Sequence, residues 1–375
     1  MKSELARTKV GIDFHVWDGI YQGSRSYIFG LYSAAIKQAP DIDFYFFLDD
    51  VDSLRNSDEV FRRSNVFLVK MRSRSGVARL GFQLSYLKWR YKLHLFHVQY
   101  RLPLFASKGY ICTIHDILFE TNPEFFSRGF VLQSRLTSKS AALKSDILLV
   151  VSEFTKSELV KHYSIPPKNI LVVYNGVDAA KFHPAPGGEE VLAQFGLSVG
   201  KYVLSIGRLE PRKNQIALVK AYEKLKDFPF KLVFIGQRDF GYDKFLASIA
   251  DKDLADRILI LEKVSDEAMA AILRHAAIFA YPSLAEGFGM PVAEAMASGV
   301  PVITSNRTSL PEVAGEGAIL VDPESLNELV DALVKVAGSE EIRSQMISRG
   351  FDSVARFSWK NSASQLINAI RAYKP

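Results

Sequence analysis

The sequence predicts an α/β protein made of two doubly wound parallel-sheet domains, and three observations carry that prediction. Twelve short apolar runs rich in β-branched residues alternate with longer helix-like stretches along the chain. Runs of that length without polar alternation read as strands covered on both faces, and their alternation with helices implies β-α units with parallel pairing. The chain has 375 residues, more than one core usually spans, and Pro184-Ala-Pro-Gly-Gly188 divides the runs six and six.

In the first half the strand-like runs are 10–14, 44–48, 96–99, 111–114, 147–151 and 170–174. The first opens into Asp13-Phe-His-Val-Trp-Asp-Gly-Ile-Tyr-Gln-Gly23, where Gly19 and Gly23 can bring backbone N–H groups to a phosphate. It is not the G-x-G-x-x-G of a dinucleotide site, which argues against NAD. The fourth ends in Cys112-Thr-Ile-His-Asp116; His115 there is either a structural histidine or a hydrogen-bond donor to a sugar. The sixth runs into a turn, Asn175-Gly-Val-Asp178. The first domain is therefore expected over 1–182 and the second over 183–357, followed by a helix-like segment over 358–375.

The second half has runs at 202–206, 231–235, 258–261, 278–281, 300–304 and 318–321. In open parallel sheets ligands bind beyond the carboxyl ends of the strands, which singles out two loops. Ser205-Ile-Gly-Arg-Leu-Glu-Pro-Arg-Lys-Asn214 follows the first of these runs. Gly207 permits close approach of backbone, and Arg208, Arg212 and Lys213 suit a diphosphate. Glu286-Gly-Phe-Gly-Met-Pro-Val-Ala-Glu294 follows the fourth, with Pro291 fit for a first helical turn and Gly299 fit to end the helix. Gly287 and Gly289 would bare the amides of a helix N-terminus, and Glu286 in the loop and Glu294 in the first helical turn would accept hydroxyls nearby. The pairing suggests a ligand with both phosphate and hydroxyls, such as a nucleotide sugar; the alternative for the glutamates alone is an ordinary β-α turn.

Net charge is +6, but unevenly spread: residues 1–181 hold 25 Lys/Arg against 17 Asp/Glu, and the rest 22 against 24. Between Val60 and His115 there are eleven Lys/Arg and no Asp or Glu, with Phe82, Tyr86, Trp89 and Tyr91 among them. That block is either a solvated face or a surface for an anionic partner, with an anionic membrane preferred and nucleic acid disfavoured because no nucleic-acid module is visible. No run of about 18 uncharged apolar residues is present, and the single cysteine, Cys112, forms no intrachain disulfide. No histidines fall at zinc spacing, so neither metal nor cofactor is expected. A cytoplasmic protein is expected, peripheral on the inner face of the cytoplasmic membrane if the basic block binds lipid.

Gly207-Arg208…Lys213-Asn214, the span from Glu286 to Glu294, Leu310-Pro-Glu-Val313 and Leu320-Val-Asp-Pro323 together resemble the retaining glycosyltransferases of family four. The resemblance implies a GT-B fold, two Rossmann-like domains facing a cleft with the last helix crossing back to the first domain. It implies a nucleotide-diphosphate sugar donor and no metal. By this likeness Glu286 holds donor-sugar hydroxyls, Gly287, Phe288 and Gly289 present backbone to sugar and phosphate, and Glu294 binds the ribose. Arg208 and Lys213 neutralise the diphosphate, and His115 faces the reacting sugar. One departure is the long, bulky loop from Trp17 to Gly23, where members often carry a tight glycine pair. Ser305-Asn-Arg-Thr-Ser-Leu-Pro-Glu-Val313 is similar to bacterial mannosyltransferases of surface-polysaccharide assembly. The expected reaction moves mannose from GDP-mannose onto a glycan or a polyprenyl-diphosphate-linked acceptor. The alternatives are a UDP-sugar donor, a nucleotide-sugar epimerase, or a non-catalytic nucleotide-sugar-binding subunit.

Overall fold

The structure, a computed structural model, describes residues 7–19, 23–71, 75–249 and 252–374. It divides into two compact units, one ending at Gly176 and resuming at Ser358, the other spanning Val177–Phe357.

The first unit is built on seven parallel strands: β1 (Thr8–Asp13), β2 (Ile42–Leu48), β3 (Val66–Lys70), β4 (Leu95–Gln99), β5 (Tyr110–Ile114), β6 (Ile147–Val150) and β7 (Ile170–Val172). Their order is β3-β2-β1-β4-β5-β6-β7, so the winding reverses between β1 and β4. The inner strands are buried along almost their whole length, which is why they read as unbroken apolar runs. Strand β3 was not expected. It lies at the sheet edge and is only partly buried; its four-residue apolar run, Val66–Val69, stands inside the arginine-rich block, where the surrounding charge makes the stretch read as surface.

The second unit has six parallel strands, as expected: β8 (Tyr202–Ile206), β9 (Lys231–Ile235), β10 (Ile258–Leu261), β11 (Ile278–Tyr281), β12 (Val302–Ser305) and β13 (Ala318–Val321). Their order, β10-β9-β8-β11-β12-β13, reverses between β8 and β11. Both loops singled out in the sequence therefore leave the two strands that flank the switch point, where open α/β sheets form their ligand crevice.

The chain changes unit at Gly176–Val177, ahead of the Pro/Gly-rich stretch. That stretch is fastened to the second unit and is no free linker: Arg274 donates to Gly187 O at 3.0 Å and to Lys181 O at 3.4 Å, and Lys181 pairs with Asp266 at 3.2 Å.

The last helix, Trp359–Ala372, packs on the helix Gly23–Gln38 of the first unit. Trp359 fills the space that a Cβ on Gly30 or Gly176 would need. Ser362 donates to Tyr174 O at 2.7 Å, Gln38 to Lys360 O at 3.0 Å, and Arg371 pairs with Asp41 at 2.8 Å. Among the described residues no helix is long and apolar enough to cross a membrane.

Candidate active site

The site in the second unit grows from the loops after β8 and β11. Asn214, in the left-handed conformation at φ 57°, ends the first loop and ties it to its neighbours: its side chain donates to Pro282 O at 3.1 Å and Pro323 O at 2.7 Å. Leu284 N donates to Arg212 O at 2.8 Å, so the loops are joined through backbone as well. This stitching holds Lys213 and Glu286 face to face.

Glu286 is buried and its carboxylate is crowded with donors. Oε1 accepts from Lys213 Nζ at 2.6 Å, Ser283 Oγ at 2.7 Å and Tyr281 OH at 2.9 Å; Oε2 faces Arg212 Nη1 at 3.1 Å. Burial alone pushes this carboxyl up, but Arg212, Lys213 and the Ser283 hydrogen bond outweigh it and leave the pKa at about 2. Lys213 is shifted down by burial and by Arg212, with Glu286 opposing. Its ammonium also donates to Tyr281 OH at 2.6 Å. Glu286 is thus an ionised carboxylate inside a cationic clamp, and no candidate for an acid that gives up a proton near neutrality.

Arg212 was noted in the sequence only as one of three loop cations. The structure makes it the organiser: besides Glu286 it binds Glu210 Oε1 at 2.6 Å and donates to Ala285 O at 2.7 Å. Arg208 is different. Its side chain is 44% exposed and pairs with Asp239 at 2.7 Å and with Glu210 at 3.7 Å. The three loop cations do not form one free diphosphate clamp, because carboxylates of the protein already face each of them. Tyr281, Ser283, Thr308 and Ser309 also escaped the sequence reading. Thr308 accepts from Glu286 N at 3.0 Å, and Ser309 donates to the carbonyls of Glu286 and Phe288 at 2.9 Å each. Tyr281 and Ser283 adjoin the Glu286 loop in sequence, and Thr308 and Ser309 lie in the Ser305–Val313 stretch after β12 that carried part of the family resemblance.

The glycines play mixed roles. Gly289 has φ 101°, and a Cβ there would meet Leu310 Cδ2 at 2.6 Å. The left-handed backbone is what favours glycine here, and the Leu310 side chain already occupies the space beside it. Gly207 follows β8, with its carbonyl packed against Gly236. The Phe288 ring is buried edge-on against Phe357 at 5.1 Å, leaving its backbone, like that of Gly287, as the part set in the loop.

Glu294 departs from the expected position in the first helical turn. The helix begins at Met290, so Glu294 is its fifth residue and lies beyond the turn in which a helix end attracts charge. Burial raises its pKa to about 7, with Asp266 and Asp178 adding and Lys181 opposing. Among the described residues its carboxylate has no hydrogen-bond or ion-pair partner. The two glutamates that the sequence pairs are electrostatic opposites.

In the first unit, His115 follows β5. Its Nε2 shares a 2.6 Å hydrogen bond with Gln99 Oε1, and its ring lies between Tyr27, at 5.0 Å, and Tyr100, at 5.4 Å. Burial lowers its pKa to about 4, so the ring is neutral near pH 7. Asp116 is no partner for it: that carboxylate accepts from Leu118 N at 3.1 Å and Tyr100 OH at 3.2 Å. Gly19 follows a short 3-10 turn and Gly23 opens a helix; the residues between them lie outside the described ones. A polar cluster that the sequence did not suggest sits at the end of β1, where buried Asp13 binds Arg79 and, at 3.0 Å, His15. Among the described residues no three His, Cys, Asp or Glu side chains gather as a metal site.

Comparison with known proteins accords with this geometry. Residues 193–353 match the family described as glycosyl transferases group 1, and residues 21–181 match glycosyltransferase family 4. The O-antigen chain mannosyltransferase B of Escherichia coli is 30% identical over 287 residues, 75% of this chain and 75% of that protein. The O-antigen chain mannosyltransferase RfbU of Salmonella typhimurium is 26% identical over 282 residues, 72% of this chain and 75% of its own. Among solved structures, sucrose-phosphate synthase from Thermosynechococcus elongatus superposes with a TM-score of 0.78 at 19% identity, covering 97% of this chain and 98% of that one, a likeness of fold. Two Rossmann-like parallel-sheet units, the matched families and the mannosyltransferase relatives make one assignment: the chain is a GT-B glycosyltransferase of group 1 with a family 4 N-terminal domain.

Proposed function

We propose that the chain transfers a mannosyl group from GDP-mannose, with retention and without a metal, onto a glycan or polyprenyl-diphosphate-linked acceptor in surface-polysaccharide assembly. The observation that carries this reading is the loop pair around the β8/β11 switch point, where Lys213 and Arg212 clamp ionised Glu286. Glu286 Oε2 faces one donor among the described residues, Arg212 Nη1, and has lone-pair capacity to accept from a sugar hydroxyl. Glu294 offers a carboxylate to the ribose. Arg208 exchanges its exposed pairing with Asp239, the kind worth about 0–1 kcal/mol, for the donor diphosphate. The mannose assignment is supported by the names of the two O-antigen relatives.

In the proposed step the acceptor hydroxyl oxygen bonds to the anomeric carbon on the face that the diphosphate leaves. The bond from that carbon to the β-phosphate oxygen breaks, and the acceptor proton passes to the departing phosphate. Arg208 and Lys213 stabilise the negative charge that grows on the leaving group. His115 is assigned to the reacting sugar by the resemblance alone; being neutral, it would act by hydrogen bonding and not as a cation. A lipid-linked acceptor places the reaction at the inner face of the cytoplasmic membrane.

Thermal-shift titration against GDP-mannose, UDP-glucose and UDP-N-acetylglucosamine tests the donor. NMR of the anomeric proton of the product tests retention. Stabilisation by UDP-sugars and not by GDP-mannose would move the assignment to the UDP donors. An inverted product would discard the mechanism, and interconversion of donor sugars without transfer would indicate an epimerase.

A further inference from the structure

The basic block of the first unit contains a formed depression of about 350 Å³, lined among others by Ser85, Lys88, Trp89, Lys92, Phe105 and Tyr110. It lies between the helix Leu84–Arg90 and the loop that precedes β5. The two walls are joined: Ser85 Oγ donates to Phe105 O at 3.1 Å, and Leu104 N donates to Leu80 O at 2.7 Å. Lys88 reaches across the floor to Leu93 O at 3.2 Å, its ammonium 5.7 Å from the centre of the Tyr110 ring. Among the described residues neither Lys88 nor Lys92 pairs with a carboxylate. The nearest acid that Lys88 senses, Asp146, is held by the amides of Gly109 and Tyr110 at 2.7 and 3.0 Å.

Beside this depression stands an apolar ridge drawn from two separate segments. Phe82 is 69% exposed, Trp89 74%, Leu104 75% and Phe105 59%. The rings of Phe82 and Phe105 meet at 5.5 Å and those of Tyr86 and Trp89 at 6.0 Å. Large apolar side chains gathered and left bare in this way mark a surface that meets something. Tryptophan and tyrosine favour the boundary between water and lipid, where an apolar body and a polar tip are both satisfied. Lysine ammonium groups are compact point charges suited to phosphate. The absence of any Asp or Glu from Val60 to His115 leaves the cationic field unopposed along that sequence.

We propose that this depression binds the phosphate headgroup of an anionic membrane lipid, with Lys88 and Lys92 on the phosphate and Phe82, Trp89, Leu104 and Phe105 entering the interfacial layer. Membrane docking then has a headgroup pocket and is not diffuse attraction alone. The inference deepens the lipid-linked-acceptor reading and rests on that reading for its purpose, while its geometry is independent of the donor loops.

The test is vesicle flotation of the full chain, with phosphatidylcholine alone and with one third phosphatidylglycerol. Wild type is expected to float with the anionic vesicles and not with the neutral ones. Lys88→Gln with Lys92→Gln lowers that affinity about tenfold to thirtyfold, the loss expected for two basic groups at an anionic leaflet. Trp89→Ala with Phe105→Ala abolishes flotation that persists at high salt, and serves as the second variant should the lysine pair fail to fold. Thermal shift by GDP-mannose, measured on the same preparations, reports the donor reading separately and is expected to be unchanged. Equal flotation of wild type and both double variants would overturn the proposal. So would stabilisation by inorganic phosphate, lost in the lysine variant, in a protein that no vesicle retains.

Discussion

Glu286 and Glu294, eight residues apart on one loop and helix, have carboxyl pKa values driven in opposite directions, to about 2 and about 7. The cause is local. Two cations and two hydroxyls converge on Glu286, whereas Glu294 is half-buried near Asp266 and Asp178, with Lys181 opposing them. One carboxylate is held by the protein; the other has no hydrogen-bond or ion-pair partner among the described residues.

Glu286→Ala should destabilise the protein as well as silence it. It leaves Arg212 and Lys213 buried against an empty site, a change that costs about 3–5 kcal/mol when one partner of a buried ion pair is removed. Glu286→Gln keeps the volume and should keep the fold, with transfer down at least about a hundredfold by loss of a charge that holds donor and cations in place. Because the folded pKa lies below the ordinary glutamate value of about 4.3, the ionised side chain adds stability above that pH and loses it as pH falls toward 2. Chemical denaturation at several pH values checks this: the gap between wild type and Glu286→Gln should close in acid. A gap that persists at the lowest pH would refute the ion-pair account.

For Glu294 the sign reverses. A carboxyl raised to about 7 binds its proton more tightly in the folded state, so wild-type stability falls as pH rises from about 4.3 to 7, and the deficit is complete above that. Glu294→Gln should therefore be more stable than wild type at pH 8, by roughly 2 kcal/mol given its partial exposure, and little different at pH 4. Nucleotide affinity should fall about tenfold to a hundredfold in the same variant, the value of a hydrogen bond to a charged group. A variant that gains no stability at pH 8 and binds GDP as wild type does would remove Glu294 from the site.

Arg208 and Arg212 should separate function from folding. Arg208→Ala breaks an exposed pair and should change stability by less than about 1 kcal/mol while lowering kcat about a hundredfold or more. Arg212→Ala removes a guanidinium shared by Glu210, Glu286 and Ala285 O, and should lower the melting temperature markedly. Steady-state kinetics with melting curves on both variants decide; normal turnover in Arg208→Ala would sink its role at the diphosphate.

Transfer should survive exhaustive EDTA treatment, because cationic side chains are assigned the task of stabilising the leaving diphosphate. Activity restored only by added magnesium or manganese would contradict that assignment.

The strand loops could be located from the sequence because inner parallel strands are buried on both faces and so must be apolar throughout. Position relative to those strands then placed Gly207, Arg208, Lys213 and Glu286 at one sheet rim. Edge strand β3 has an apolar run, Val66–Val69, but the basic residues on both sides of it make that stretch read as surface. Arg212 could not be told from its neighbours, since three adjacent cations look alike until a fold decides which carboxylate each one meets. The likeness of the sequence to family four extended this reading to an assigned activity.

By itself the sequence determined the α/β class, the two parallel sheets and the loops that carry the charged groups, because these follow from periodicity and chain punctuation, which are local. Tertiary structure alone decided that Lys213 and Glu286, 73 residues apart, meet at 2.6 Å, that Gly289 sits against Leu310, and that Glu294 has no partner among the described residues. It also decided that Phe82 and Phe105 share a surface with Lys88. Each of these depends on which distant segments the sheet order brings together, and burial and charge at a side chain are set by those neighbours, not by the residues on either side of it.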